Sequence, residues 1–155
     1  MPKLKYDCHE KTLMNTTKDH QDLIDIAHDA KENSYSPYYG YAVGAAVVTR
    51  TGDVYTGANI ENITLDMCSH AERTALKTAL ADGQREFSCL AISTQSQDGM
   101  PPCLTCRQFL TEFLSDDFLI LSDAGEEKYK EYTLGEIAPY SFRADGIEDE
   151  TDFDG

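Results

Sequence analysis

Helix-period and strand-period segments alternate along this chain, and that alternation leaves few architectures open. Leu23, Ile24, Ala27 and Ala30 recur at helical spacing after Thr17, a residue suited to cap a helix. This first helix must end before Ser36-Pro37. The apolar, β-branched run over 41–49 reads as a strand, Thr51-Gly52-Asp53 as a turn, and 54–60 as a returning strand, so the pair forms a hairpin. A second helix over 69–81 has Ala71, Ala75, Leu76, Ala79 and Leu80 on one face and Gly83 as its stop. A buried strand over 87–94 and a loop over 96–102 follow. A third helix over 103–114 places Cys106, Phe109, Leu110, Phe113 and Leu114 on one side. Residues 118–122 read as a strand and 129–132 as an edge strand pairing back. Thr133-Leu134-Gly135-Glu136 matches a capping box that opens a short last helix, cut off by Pro139. The order α-β-β-α-β-α-β-β-α, with crossover helices between central strands, predicts an α/β fold. It is a three-layer α/β/α sandwich around a mixed five-stranded sheet.

A chain of 155 residues suits one domain and buries enough apolar surface to need no disulfide staples. Its expected organisation is a polar leader over 1–16, a globular domain over 17–142 and a solvated tail over 143–155, where six of thirteen residues are acidic. The formal net charge of −15 repels phosphate backbones and anionic membrane surfaces, so neither nucleic acid nor membrane is an expected partner. No apolar run approaches the roughly 18 residues of a membrane span. The start of the chain, MPKLKYDCHEK, has no apolar stretch of the secretory kind, so the expected location is the cytoplasm. Five cysteines cannot all pair within one chain, and in that compartment spaced Cys and His point to a metal or to catalysis. Cys89 reads as a buried apolar residue, and Cys8 carries no motif.

Chemistry concentrates at the starts of the second and third helices. Two cysteines three apart, Cys103 and Cys106, can face one ion from a helix start, where thiolate is favoured over thiol. With His70 they make three protein ligands, which leaves a fourth tetrahedral position open, as in catalytic zinc sites. A water there becomes acidic enough to supply hydroxide near neutral pH. Glu72, two residues beyond His70, can reach that water without ligating the metal and so can move protons. Three other readings stay open at this point. Ser69-x-x-Glu72 also matches a capping box. Cys103 and Cys106 also fit a redox pair, although this leaves His70 and Glu72 without a role. Cys68 is the one nearby residue able to close the metal site as a fourth ligand.

Residues 34–142 resemble the small zinc-dependent cytidine deaminases that act on free nucleosides. The resemblance runs through Ser36-Pro37-Tyr38, Tyr41-Ala42-Val43-Gly44-Ala45-Ala46 and Gly57-Ala58-Asn59-Ile60-Glu61-Asn62. It continues through His70-Ala71-Glu72-Arg73-Thr74-Ala75, Pro102-Cys103-Leu104-Thr105-Cys106-Arg107-Gln108 and Ala138-Pro139-Tyr140-Ser141-Phe142. The H-x-E … P-C-x-x-C pattern in these blocks is the zinc-deaminase signature. The resemblance implies hydrolytic deamination of cytidine and deoxycytidine to the uridine products and ammonia, with Glu72 as proton shuttle. It implies that Asn59 and Glu61 hold the ribose hydroxyls. It also implies a homotetramer in which Phe142 stacks near the substrate of a neighbouring subunit. Alternate strand positions point the same way, and an amide and a carboxylate bind a hydroxyl by complementary hydrogen bonds. Without the zinc motifs, Asn59 and Glu61 read simply as a polar strand end, and Phe142 as a local cap on the core.

The sequence departs from the family pattern at four places. His70 stands where short members usually have Cys, so zinc on two thiolates is formally neutral and needs less help from Arg73, whose guanidinium can neutralise a thiolate. Tyr41 replaces the usual Phe and adds a hydroxyl to the aromatic surface around the nucleoside. Leu65 stands where an aromatic is common, and Leu104 where the motif usually has Gly. Two rivals follow. One is a deaminase of the same fold acting on another cytosine-containing substrate, a nucleoside antibiotic or a nucleic-acid base. The other is a zinc-stabilised binding module without turnover.

Overall fold

The computed structural model describes residues 17–143, with side chains from residue 19 onward. The expected leader over 1–16 and nearly all of the expected tail over 143–155 lie outside the described residues. Arg143, at the edge of that tail, pairs with Asp116.

Among the described residues, four α-helices and five strands follow one another in the expected order: α1 (Thr17–Ala30), β1 (Val43–Thr49), β2 (Val54–Ala58), α2 (Ala71–Ala81), β3 (Phe87–Thr94), α3 (Leu104–Leu110), β4 (Leu119–Asp123), β5 (Tyr129–Thr133) and α4 (Leu134–Ile137). The strands form one sheet in the order β2-β1-β3-β4-β5. Only β3 and β4 run parallel; the other neighbours are antiparallel. The sheet is therefore mixed.

Both faces of the sheet are covered, because successive strand residues point to opposite sides. Leu23, Ile24 and Ala27 of α1 pack on Ala46, Val48, Ala91 and Leu121. On the other face, Ala71, Ala75 and Leu76 of α2 and Leu110 of α3 pack on Ala45, Val47, Leu90 and Ile120. The result is the expected three-layer sandwich. Two close approaches set its spacing. A Cβ on Gly44 would lie 2.1 Å from the Ala27 carbonyl oxygen, so α1 rests directly on β1. A Cβ on Gly57 would lie 2.3 Å from the Ala75 nitrogen, so α2 rests directly on β2.

Several boundaries differ from those expected, for local reasons. The first strand starts at Val43 rather than Tyr41 because the Asn59 side chain takes the ladder positions there. Its Nδ2 donates to the Tyr41 carbonyl at 2.8 Å, and its Oδ1 accepts from the Val43 N–H at 2.8 Å. The second strand ends at Ala58, although Ile60 still bridges to Tyr35 and Ser69. The third helix ends at Leu110. Beyond it, Thr111 Oγ1 donates to the Gln108 carbonyl at 2.8 Å, a side-chain bond that competes with the helical ladder. The chain continues as turns that still bury Leu114. The capping box at Thr133 forms as expected, with its hydroxyl accepting from the Glu136 N–H and the Glu136 carboxylate accepting from the Thr133 N–H.

The connections β2-α2-β3 and β3-α3-β4 both place their helix on the same face. The helices therefore start side by side, just past the ends of β2 and β3. Open α/β sheets bind ligands at such carboxyl ends of strands.

Candidate active site

His70 is the N-cap residue of α2 and Cys103 that of α3, and neither side chain is spent on capping its helix. Both are free to face each other, and His70 Nδ1 lies 3.2 Å from Cys103 Sγ. Cys106, in the first turn of α3, is fully buried and points to the same place. The ligand atoms of His70, Cys103 and Cys106 lie within 4.8 Å of one another. Metal–ligand lengths of about 2.0–2.3 Å put tetrahedral neighbours about 3.6 Å apart, the scale on which these atoms already cluster.

The two sulfurs are electrostatically unequal. The Cys103 thiol is pulled down to about 3, first by a hydrogen bond from Cys106 and then by one from His70. Cys106, the donor of that bond and buried, is pushed up. The two sulfurs and the imidazole nitrogen converge on one point, where a cation can sit. The bond to Cys103 raises His70 in turn.

Glu72 lies in the first turn of α2 and is 5% exposed. Burial pushes its carboxyl up, and the Cys103 thiolate nearby adds to the rise. A carboxyl raised by burial is a stronger base than an exposed one, which suits a group that takes and returns a proton. The capping-box reading of Ser69 and Glu72 does not form: the N-cap is His70, and Ser69 Oγ accepts from Thr74 Oγ1 at 3.0 Å instead. Cys68 is not a fourth ligand. Its sulfur accepts from the Asn62 N–H at 3.2 Å and lies outside the three-residue cluster.

A cleft of about 340 Å³ opens over Glu72, His70 and Cys103. Asn59 and Glu61 line its far end, and both are buried. Glu61 Oε2 accepts from the Tyr38 and Tyr39 N–H groups at 2.7 and 3.2 Å. That anchoring leaves its second oxygen for the cleft. Asn59 is more committed: Oδ1 also accepts from Ser34 Oγ at 2.6 Å, so one amide hydrogen remains. Tyr41 lines the cleft, and its hydroxyl bonds Ser96 Oγ at 2.7 Å. No Lys or Arg lines it among the described residues.

Arg73 and Phe142 do not line this cleft. Arg73 lines a neighbouring groove, where it donates to the Cys68 carbonyl at 2.9 Å. Phe142 is 74% exposed and does not line this cleft. Its backbone N–H and carbonyl are clipped by the Gln108 side chain at 2.9 and 2.7 Å. Met100, Pro101 and Tyr39 also line the cleft, and sequence reasoning did not single them out. They sit in aperiodic loops, where only the two prolines beside Cys103 offered a signal.

A cytidine deaminase of Halalkalibacterium halodurans is 36% identical over 131 residues, spanning 84% of this chain and 99% of the relative. The family model for the cytidine and deoxycytidylate deaminase zinc-binding region matches residues 17–122. The chain belongs to the zinc-dependent cytidine deaminase family. Solved cytidine deaminases share its fold. The crystal structure from Burkholderia pseudomallei is 36% identical with a TM-score of 0.76, covering 79% of this chain and 98% of that one. The Mycobacterium tuberculosis enzyme is 30% identical with a TM-score of 0.69, covering 81% and 98%. The donor set fits zinc: one imidazole and two cysteine sulfurs whose ligand atoms already cluster. Arg73 fits as well. Its Nε is buried without a hydrogen-bond partner, and its charge favours the thiolate form of Cys106, the form a metal requires.

Proposed function

We propose that this chain hydrolyses cytidine and deoxycytidine to uridine and deoxyuridine, releasing ammonia, as a step of pyrimidine salvage. The observation that carries this reading is a buried carboxylate, Glu72, standing beside a three-ligand metal set at the floor of a cleft. Zinc held by His70, Cys103 and Cys106 supplies a Lewis acid and lowers the pKa of water. Glu72 would take one proton from the attacking water and pass it to N3 of the base, then carry the second proton from the added hydroxyl to the departing amine. One residue can serve both steps because its protonation state alternates through the cycle. Tyr41 provides aromatic surface for the nucleoside.

At the far end of the cleft, the free oxygen of Glu61 and the remaining amide hydrogen of Asn59 bind the ribose hydroxyls. The cleft carries two carboxylates and no cationic lining among the described residues, so a 5′-phosphate meets repulsion rather than a cradle. The same feature, with the net charge of −15, disfavours nucleic acid as substrate.

The working unit is a homotetramer in which Phe142 reaches a neighbour's cleft. Its own cleft lies elsewhere, yet its backbone is held by Gln108, and Tyr140 beside it is 98% exposed. These aromatics flank a largely apolar groove of about 780 Å³ along α3 and α4, a surface suited to a second subunit. The site of action is the cytoplasm. No disulfide joins the four described cysteines, and no described helix is long and apolar enough to cross a membrane.

An absorbance assay on cytidine, deoxycytidine, cytosine and cytidine 5′-monophosphate tests this reading. Both nucleosides should be turned over in preference to the base and the nucleotide. Faster turnover of cytosine or of the monophosphate would overturn the assignment.

A further inference from the structure

We propose that Asp123 is a positioning residue for this reaction. From the end of β4 it holds the loop over residues 95–102, which walls the cleft and leads into Cys103. The proposal rests on the cytidine deaminase reading above.

Asp123 does not line the cleft, yet it is only 4% exposed and its carboxylate is fully engaged. Oδ2 accepts from Ser93 Oγ and, at 3.0 Å, from Gln97 Nε2, while Oδ1 accepts from the Gly125 N–H at 2.9 Å. From α1, His28 Nδ1 stands 3.6 Å away. Asp123 thus meets donors from three segments, and one of them, Gln97, belongs to the cleft-wall loop.

Gln97 has φ +47°, in the left-handed region that residues with a Cβ rarely occupy. Such a conformation persists where its surroundings over-determine it, and such positions cluster at functional sites. The surroundings here are the last two residues of β4, together with Thr94 Oγ1, which accepts from the Gln97 N–H at 3.2 Å, and His28 Nδ1, 3.3 Å from Gln97 Nε2. Asp123 holds the Gln97 side chain, its carbonyl accepts from the Gly99 N–H at 2.9 Å, and Ser122 Oγ donates to the Met100 carbonyl at 2.5 Å. The chain then passes through Met100 and Pro101, whose side chains line the cleft, to Pro102 and Cys103. These bonds at Gly99 and Met100 carry the course set at Gln97 to Pro101 and the cleft wall. The metal turn has its own support, since Arg107 Nε donates to the Pro102 carbonyl at 2.6 Å. Releasing Gln97 should therefore move the wall and leave the metal ligands in place.

The test uses the full-length, zinc-loaded enzyme with Asp123→Ala, Gln97→Ala, their double variant and Asp123→Asn. Zinc content should stay at the wild-type level in all four. In each single alanine variant, kcat/KM for cytidine should fall about tenfold, carried mainly by KM. The double variant should be no worse than Asp123→Ala, because both remove one interaction. Asp123→Asn, which keeps an acceptor for Gln97, should recover part of the loss. A residue that only supports the fold would lower the melting temperature without this split. Unchanged KM in folded Gln97→Ala, or additive losses in the double variant, would overturn the proposal. Should Asp123→Ala not fold, Gln97→Ala and Ser122→Ala carry the same comparison. Hydrogen exchange separates this proposal from the functional reading. Wild-type protein inactive on cytidine would defeat that reading, whereas unchanged exchange at the Gly99 amide in Gln97→Ala would defeat the positioning role.

Discussion

Nδ1 of His70 and Sγ of Cys103 lie 3.2 Å apart although 33 positions separate them in the chain. Two consecutive crossovers on one face of the sheet produce that meeting, because each returns its helix start to the same edge of the β1–β3 region. The residues that meet are N-cap residues whose side chains do no capping. Their side chains are thus available to bind rather than to cap the helix they open.

Replacing both sulfurs tests the metal set. Cys103→Ala combined with Cys106→Ala should reduce zinc from about one per chain to near zero and abolish turnover. Elemental analysis of the purified variant checks this. Full zinc occupancy would mean that other residues hold the metal.

Glu61→Gln should raise KM for cytidine about tenfold, since a hydrogen bond to a charged acceptor is worth about 1.5–3 kcal/mol. Zinc content should not change. The amide can still accept from the Tyr38 and Tyr39 N–H groups, so the loop they form stays anchored. Steady-state kinetics with metal analysis on the same sample checks both parts.

Asp123 should shape the acid limb of stability. Burial favours its neutral form, but the bonds from Ser93, Gln97 and the Gly125 N–H outweigh burial and hold the carboxyl below its ordinary value of 3.8. A carboxyl depressed in the folded state contributes stability above that value and loses it as the pH falls through 3.8 toward the folded value. Asp123→Asn should therefore be less stable than wild type at neutral pH and show a shallower decline below about pH 4. Denaturant unfolding across that range measures it.

Added salt should stabilise the protein. A net charge of −15 repels itself, and the screening length shrinks from about 10 Å at 0.1 M to about 3 Å at 1 M. Thermal unfolding in rising sodium chloride should show an increase in melting temperature of about 2–4 °C for each kcal/mol gained.

The layered fold was legible because apolar periods of helix and strand persist over long segments, as at Leu23–Ile24–Ala27 and at Ala45–Val48. The metal set was legible because its residue types are rare together and their spacing within each helix start is short. What escaped depends on side chains that act across the chain. Asn59 replaces ladder bonds at Tyr41 and Val43 and so delays β1, a substitution that composition does not reveal. Thr111 closes α3 early by bonding the Gln108 carbonyl, against an apolar pattern that continues to Leu114. The cleft wall at Met100 and Pro101 is an aperiodic loop whose course is set by Ser122 and Asp123, more than 20 positions away. Phe142, expected beside a neighbour's substrate, is highly exposed in the single chain.

In the proposed reaction Glu72 moves protons at a metal site that it does not ligate. The most direct measurement is zinc content and cytidine turnover of wild type and Glu72→Ala side by side. The variant should retain about one zinc per chain and the wild-type fold while losing roughly 10²-fold or more of its turnover. Near-normal turnover by a zinc-loaded Glu72→Ala would contradict the account.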